Sequence, residues 1–353
     1  MNKSIKIIFL ALVLYLAIFL IVNPQPCLSA AQNAIKLCLE TVIPSLFPFF
    51  VCSGLLCGLG FSSVCTHFLS PVMRPIFNLP GSGALTLFLG ILSGYPVGAA
   101  TAVNLYKTGQ CTKTEAERML AFCNNSGPMF IIGVVGNSCL GNPTAGRYLY
   151  ASHIVAALIV GLVFRFYKSS YPTPRTLPPF FKETKKTAIF SFGGIIDNSV
   201  FSILKICGFV IFFAVLVKSL PDNPYLYSIV EITGGIMALA QNNTAYTMPL
   251  ISFFLALSGL SVLFQVSAII QPLGLSLKPY ISGKLLQGIL SFILTLILNR
   301  LFPLAQETFS QAADFPLSLS PVSLTFSSVL ISLLALLLLV GIMIPFALKK
   351  KTS

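Results

Sequence analysis

The chain has 353 residues, 56% of them hydrophobic and only 9% charged, with a mean hydropathy of +0.90. Uncharged apolar runs of about 20 residues define an all-α polytopic membrane protein and exclude an all-β porin, whose strands alternate over about 10 residues. The net charge of +13 sits at the ends of those runs rather than on a soluble unit, so it implies a lipid bilayer and no nucleic-acid partner.

About eight transmembrane helices are predicted, over 5–22, 44–60, 84–106, 148–166, 201–217, 248–270, 285–301 and 324–348. The first has a basic start and is followed by "CLSAA", but it is longer than a signal-peptide core and reads as an uncleaved span. Five units follow in order. Residues 1–40 hold the first span and its connection, 41–167 a first repeat, and 168–186 a basic, proline-rich linker. Residues 187–301 hold a second repeat, and 302–353 an outer loop, a last span and a basic tail.

Lys3 and Lys6, the linker bases Arg175, Lys182, Lys185 and Lys186, and Lys349 to Lys351 place both termini and the linker in the cytoplasm. Glu307 and Asp314 share a loop on the other side. The nine cysteines include no C-x-x-C pair and read as small apolar residues. His67 and His153 stand alone, so no metal and no cofactor is expected. No catalytic motif is present, which makes the chain a transporter or scaffold rather than an enzyme.

Polar interruptions mark candidate sites. In "LSGYPVGAA" (92–100), Ser93, Gly94 and Tyr95 precede Pro96, which can open a new half-helix with exposed N–H groups. A proline kink with close packing at Gly94 and Gly98 is the competing reading. In "AFCNNSGPMF" (121–130), Asn124, Asn125 and Ser126 interrupt a helix capped by Thr112 or Thr114, and Pro128 restarts it. The apolar stretch that follows is too short to span, so the interruption reads as the tip of a re-entrant hairpin. A surface turn has the same composition. In "YSIVEITGG" (227–235), Glu231 is a carboxylate in an apolar setting, a functional candidate by default.

"FLGILSG" (88–94) matches "FFLALSG" (253–259) at four of seven positions, pairing Ser93 with Ser258. Arg118 and Lys284 then follow at matching distances and are taken as counter-charges for a small-molecule anion. The charge map runs 84–106 outward and 248–270 inward, so the repeat is expected to be inverted.

"MRPIFNLPGSGA", "GILSGYPVGAA", "AFCNNSGPMFIIGVVG" and "VEITGG", in this order, resemble the YlbJ family of sporulation integral membrane proteins, which contain the nucleoside-recognition Gate domain. The resemblance implies two Gate-type repeats, a carrier in the mother-cell-derived outer forespore membrane, and dipicolinate as its substrate. It leaves open a nucleoside or nucleobase carrier on the same scaffold. A non-transporting scaffold, as a homo-oligomer or with sporulation membrane partners, also stays open.

Overall fold

The computed structural model describes residues 3–169 and 192–302 except position 243, and these form helices with no strand among them. The linker bases, Glu307, Asp314, the expected span 324–348 and the basic tail lie outside the described residues. Helix α1 (Lys3–Val22) meets α2 (Pro24–Leu37) at 98°. A π turn, Cys38–Val42, joins α2 to α3 (Ile43–Gly58), and α4 (Phe61–Phe77) follows.

The first half continues with α5 (Gly83–Leu92), α6 (Val97–Lys107), α7 (Lys113–Phe122), a π-helical segment Met129–Cys139, and α8 (Pro143–Phe164). The second half holds α9 (Phe192–Lys218), α10 (Pro224–Val230), α11 (Ile232–Ala240), α12 (Thr247–Leu257), α13 (Gly259–Ile270) and α14 (Lys278–Leu301). By length and composition, four helices among the described residues can cross a membrane, or five if the bent α1–α2 pair is one span. The architecture is that of a polytopic membrane protein; this criterion finds four or five spans among the described residues, which do not include the expected span 324–348.

Local sequence explains where these helices start. Thr112 and Glu115 form a capping box, with Thr112 N–H donating to Glu115 Oε2 at 2.8 Å and Glu115 N–H to Thr112 Oγ1 at 3.3 Å. Asn142 before Pro143 and Asn223 before Pro224 cap α8 and α10 in the same way, each side-chain oxygen accepting two backbone N–H groups.

The apolar run 84–106, expected to cross with an interruption at Ser93–Pro96, instead folds back on itself there. Helices α5 and α6 pack against each other, and Ser82 Oγ donates to Gln110 O at 3.4 Å across the open end. A Cβ at Gly90 would lie 3.3 Å from Gly98 Cα, and at either glycine it would collide with the Cys123 carbonyl oxygen. Lipid tails are as apolar as leucine, so close backbone approach at small residues must drive helix association. Glycine at both positions permits it.

The break at 123–128 is likewise different from the expected hairpin tip. Along α8, Gly161 meets Phe122, His153 meets Ser126, and Gly146 meets Ile132 and Gly136. Residue numbers therefore rise steadily along one line, and α7 with the π-helical segment forms a single interrupted helix antiparallel to α8. This unit, 113–139, runs along α8 as one interrupted helix, whereas 84–106 folds back.

The second half repeats this order. Helices α10 and α11 fold back at Glu231, with Gly235 against the Ser228 backbone. Helices α12 and α13 form one span interrupted at Ser258, which has φ of +64°, and α14 is continuous. Each half thus runs hairpin, interrupted helix, continuous helix.

The two sets run in opposite directions. Ser276, Gly283 and Gln287 meet Glu117, Ala121 and Asn125 in rising order, so α14 is parallel to α7. Ser291 and Thr295 meet Ser252, and Asn299 meets Met248, so α14 is antiparallel to α12. The Leu-Ser-Gly match does not join equivalent positions: Ser93 is at a hairpin tip, whereas Ser258 interrupts a through-helix. Its structural counterpart is the 123–128 break.

Candidate functional site

The tip of the first hairpin enters the 123–128 break. A Cβ at Gly94, where φ is +90°, would stand 2.7 Å from Gly127 N, and one at Gly127 would stand 3.0 Å from Ser93 O. Asn124 Oδ1 accepts from Ala99 N–H at 3.3 Å, fastening the start of α6 to the break. The second hairpin behaves alike: a Cβ at Gly259 would lie 3.3 Å from Ile229 O and 3.4 Å from Ser228 O.

Tyr95 joins the two halves. It packs on both main apolar clusters, one built around α6, α7 and α13 and the other around the π-helical segment, α11 and α12. Its phenol is within electrostatic range of Glu231 and Tyr280. Glu231 caps α11, accepting from Thr233 N–H at 3.0 Å and Gly234 N–H at 2.8 Å. A capping carboxylate is a structural role, and no ion pair joins it to Lys284 or Arg118 among the described residues.

A polar stripe on α14 forms the next wall. Tyr280, Lys284, Gln287, Ser291 and Thr295 follow at helical spacing on one face, and each is at most 2% exposed. Tyr280 Oη is 3.0 Å from Ser258 Oγ at the second break. Lys284 Nζ donates to Gln287 Oε1 at 2.8 Å, and Gln287 Nε2 donates to Asn125 Oδ1 at 2.9 Å and His153 O at 3.2 Å. His153 Nε2 accepts from Ser126 N–H at 3.2 Å, which requires the proton on Nδ1.

Of the expected site residues, the structure brings together Ser93, Gly94, Tyr95, Asn124, Asn125, Ser126, Ser258 and Lys284, with Glu231 at the adjoining hairpin tip. Arg118 stands apart. Its guanidinium donates to Tyr167 O at 2.8 Å, Asn78 O at 2.8 Å and Lys168 O at 3.2 Å, stapling the ends of α4 and α8. Every arm of the fork is used there. The neighbouring Glu117 accepts from Lys168 Nζ at 2.9 Å, Tyr167 Oη at 3.1 Å and Ser276 N–H at 3.0 Å. That hydrogen bond holds Lys168 above the usual lysine value.

Sequence reasoning missed Tyr280, Gln287 and His153 as members of the cluster. The spacing of Tyr280, Lys284, Gln287, Ser291 and Thr295 along an otherwise apolar helix was the available signal for the first two. His153 carries no such pattern, since α8 is otherwise lined by small apolar residues on that face.

The Tyr95 and Ser126 hydroxyls pair with each other and the Asn124 side chain pairs with Tyr280, while Ser93 Oγ, Ser152 Oγ and His153 Nδ1 are buried with no protein partner. Leaving such a group unpaired costs about 1–3 kcal/mol, so those beside the Ser93–Gly127 contact and the Ser126–His153 bond are candidates for a polar guest.

Paired re-entrant hairpins meeting interrupted helices, with polar groups at the junction, define a polytopic membrane protein with a central polar site. Residues 39–186 match the Gate family model, described as nucleoside recognition. The chain is 29% identical over 341 residues to the sporulation integral membrane protein YlbJ of Bacillus subtilis (strain 168), covering 84% of each chain. The resemblance expected from the polar breaks is borne out: residues 39–186 are similar to the Gate family, and most of the chain is similar to the sporulation protein. No solved structure matches it.

Proposed function

We propose that the chain is a secondary carrier of a small organic anion, with dipicolinate as the leading substrate, acting in the mother-cell-derived outer forespore membrane during sporulation. The observation that carries this reading is the convergence of two oppositely directed hairpin tips and two helix breaks on one buried polar cluster containing Lys284. Inverted repeats with interrupted helices are the architecture of alternating-access carriers, whose substrate sits at the repeat interface. The name of the relative supports the sporulation setting.

Two carboxylates on a flat ring suit a site offering an ammonium, amide N–H groups and hydroxyls. In this reading Ser93, Tyr95, Asn124, Asn125, Ser126, Ser258 and Lys284 line the path, and Glu231 shapes the second tip. Purified protein in liposomes is expected to take up labelled dipicolinate and to be inhibited by excess unlabelled dipicolinate, not by uridine.

A nucleoside carrier is the second reading, favoured by the matched domain's description and by the amides of Asn124, Asn125 and Gln287. It predicts the reverse competition. Uptake of neither solute, by protein that is folded and correctly oriented, would leave the scaffold reading.

A further inference from the structure

We infer that Lys284 is the counter-charge for a substrate carboxylate, and that Gln287 is a positioning residue that holds it unpaired and ready, making the site selective for anions. This rests on the carrier reading above and adds the group that selects the substrate's charge.

Lys284 is 2% exposed, and its hydrogen-bond partner among the described residues is the Gln287 oxygen. The buried carboxylates are committed elsewhere. Glu231 caps α11, Glu115 closes the Thr112 capping box and lies 3.9 Å from Arg74, and Glu117 binds Lys168, Tyr167 and Ser276. A desolvated ammonium without a carboxylate is costly, and an incoming carboxylate removes that cost. The ammonium has three N–H donors and Gln287 occupies one of them.

The orientation of Gln287 is forced. Asn125 Nδ2 donates to Phe122 O at 2.9 Å, so Asn125 must present its oxygen to Gln287. Gln287 therefore presents its NH₂ to Asn125 and to the His153 carbonyl, and its oxygen to Lys284. This chain runs from the carbonyl of Phe122 at the end of α7 to the lysine of α14 with one polarity. An amide accepts from the ammonium without neutralising it, whereas a carboxylate at the same place would cancel its charge.

Asn124 is taken up by Tyr280, one turn before Lys284, so the remaining ammonium N–H groups are the donors this corner offers. Donors thus dominate this corner. Carboxylate oxygens match them, while a neutral base also needs acceptors.

The test is equilibrium dialysis of labelled dipicolinate, benzoate and uridine against the purified full chain in nanodiscs. Lys284→Met and Gln287→Glu are expected to weaken carboxylate binding about tenfold or more, while Lys284→Arg stays within a few-fold of wild type and uridine binds none of them measurably. If Lys284→Met does not fold, Gln287→Glu, which keeps size and polarity, carries the test. Wild-type carboxylate binding in either folded variant, or uridine binding as tight as that of dipicolinate, would overturn the inference. Lys284-dependent benzoate binding without dipicolinate uptake would sustain it and remove dipicolinate. Dipicolinate uptake unaffected by Lys284→Met would do the opposite, and a wild-type chain that binds no carboxylate overturns both.

Discussion

Gln287 Nε2 donates to Asn125 Oδ1 at 2.9 Å, joining two residues 162 apart in sequence and one from each half of the chain. Both are fully buried. The bond ties the continuous helix of the second half to the interrupted helix of the first, where a carrier must change shape. Gln287→Leu is therefore expected to lower both the maximal uptake rate and the apparent affinity for the carboxylate substrate, as measured by initial rates in liposomes.

The first hairpin depends on glycine. Gly98→Ala forces a methyl group into the Cys123 carbonyl and is expected to cost about 1–3 kcal/mol, read as a lower melting temperature in detergent. Gly133→Ala, where a Cβ meets nothing within 4 Å, is the matched control and should melt like wild type.

Arg118 is predicted to be structural. Arg118→Ala removes three charge-assisted bonds to backbone carbonyls and should destabilise by about 2–4 kcal/mol, with Arg118→Lys recovering only part. The apparent affinity for substrate should not move. An affinity loss without a stability loss would return Arg118 to the site.

Next to it, the Glu117–Lys168 bridge carries a pH signature. The Glu117 hydrogen bond raises Lys168 above the usual lysine value, so its stabilisation is fully present near neutral pH and is lost as pH climbs through the raised value. Lys168→Met should lower the melting temperature by the same small amount at about pH 7 and about pH 9.

Topology separates a folded-back hairpin from a through-span. In a cysteine-free background, Lys113→Cys and Asn137→Cys, both exposed, should label from opposite faces, with Lys113→Cys on the side of Arg165. Labelling of both from one face contradicts the interrupted helix.

Much of this arrangement was legible because local rules are written in short stretches. The Thr112 cap and the Asn124–Gly127 interruption give α7 its bounds, and Pro128 restarts the helix where expected. The fold-back was not legible, because an apolar run of about 23 residues fits a straight crossing as well as a hairpin. Only the Gly90–Gly98 contact distinguishes the two, and it is a tertiary fact. The Leu-Ser-Gly match misled because apolar segments share residues by composition, so it paired a hairpin tip with a helix break. Arg118 was assigned to the site for its charge. Its true partners are carbonyls at the ends of α4 and α8, which sequence spacing does not reveal.

The central claim is that the paired hairpin tips and helix breaks form the substrate site. Initial-rate uptake of labelled dipicolinate into liposomes tests it most directly, comparing wild type with an Asn124→Ala, Asn125→Ala double variant of matched melting behaviour and orientation. The account predicts saturable uptake by wild type and a loss of about tenfold or more in the variant. Normal uptake by the folded variant would place the substrate elsewhere and contradict it.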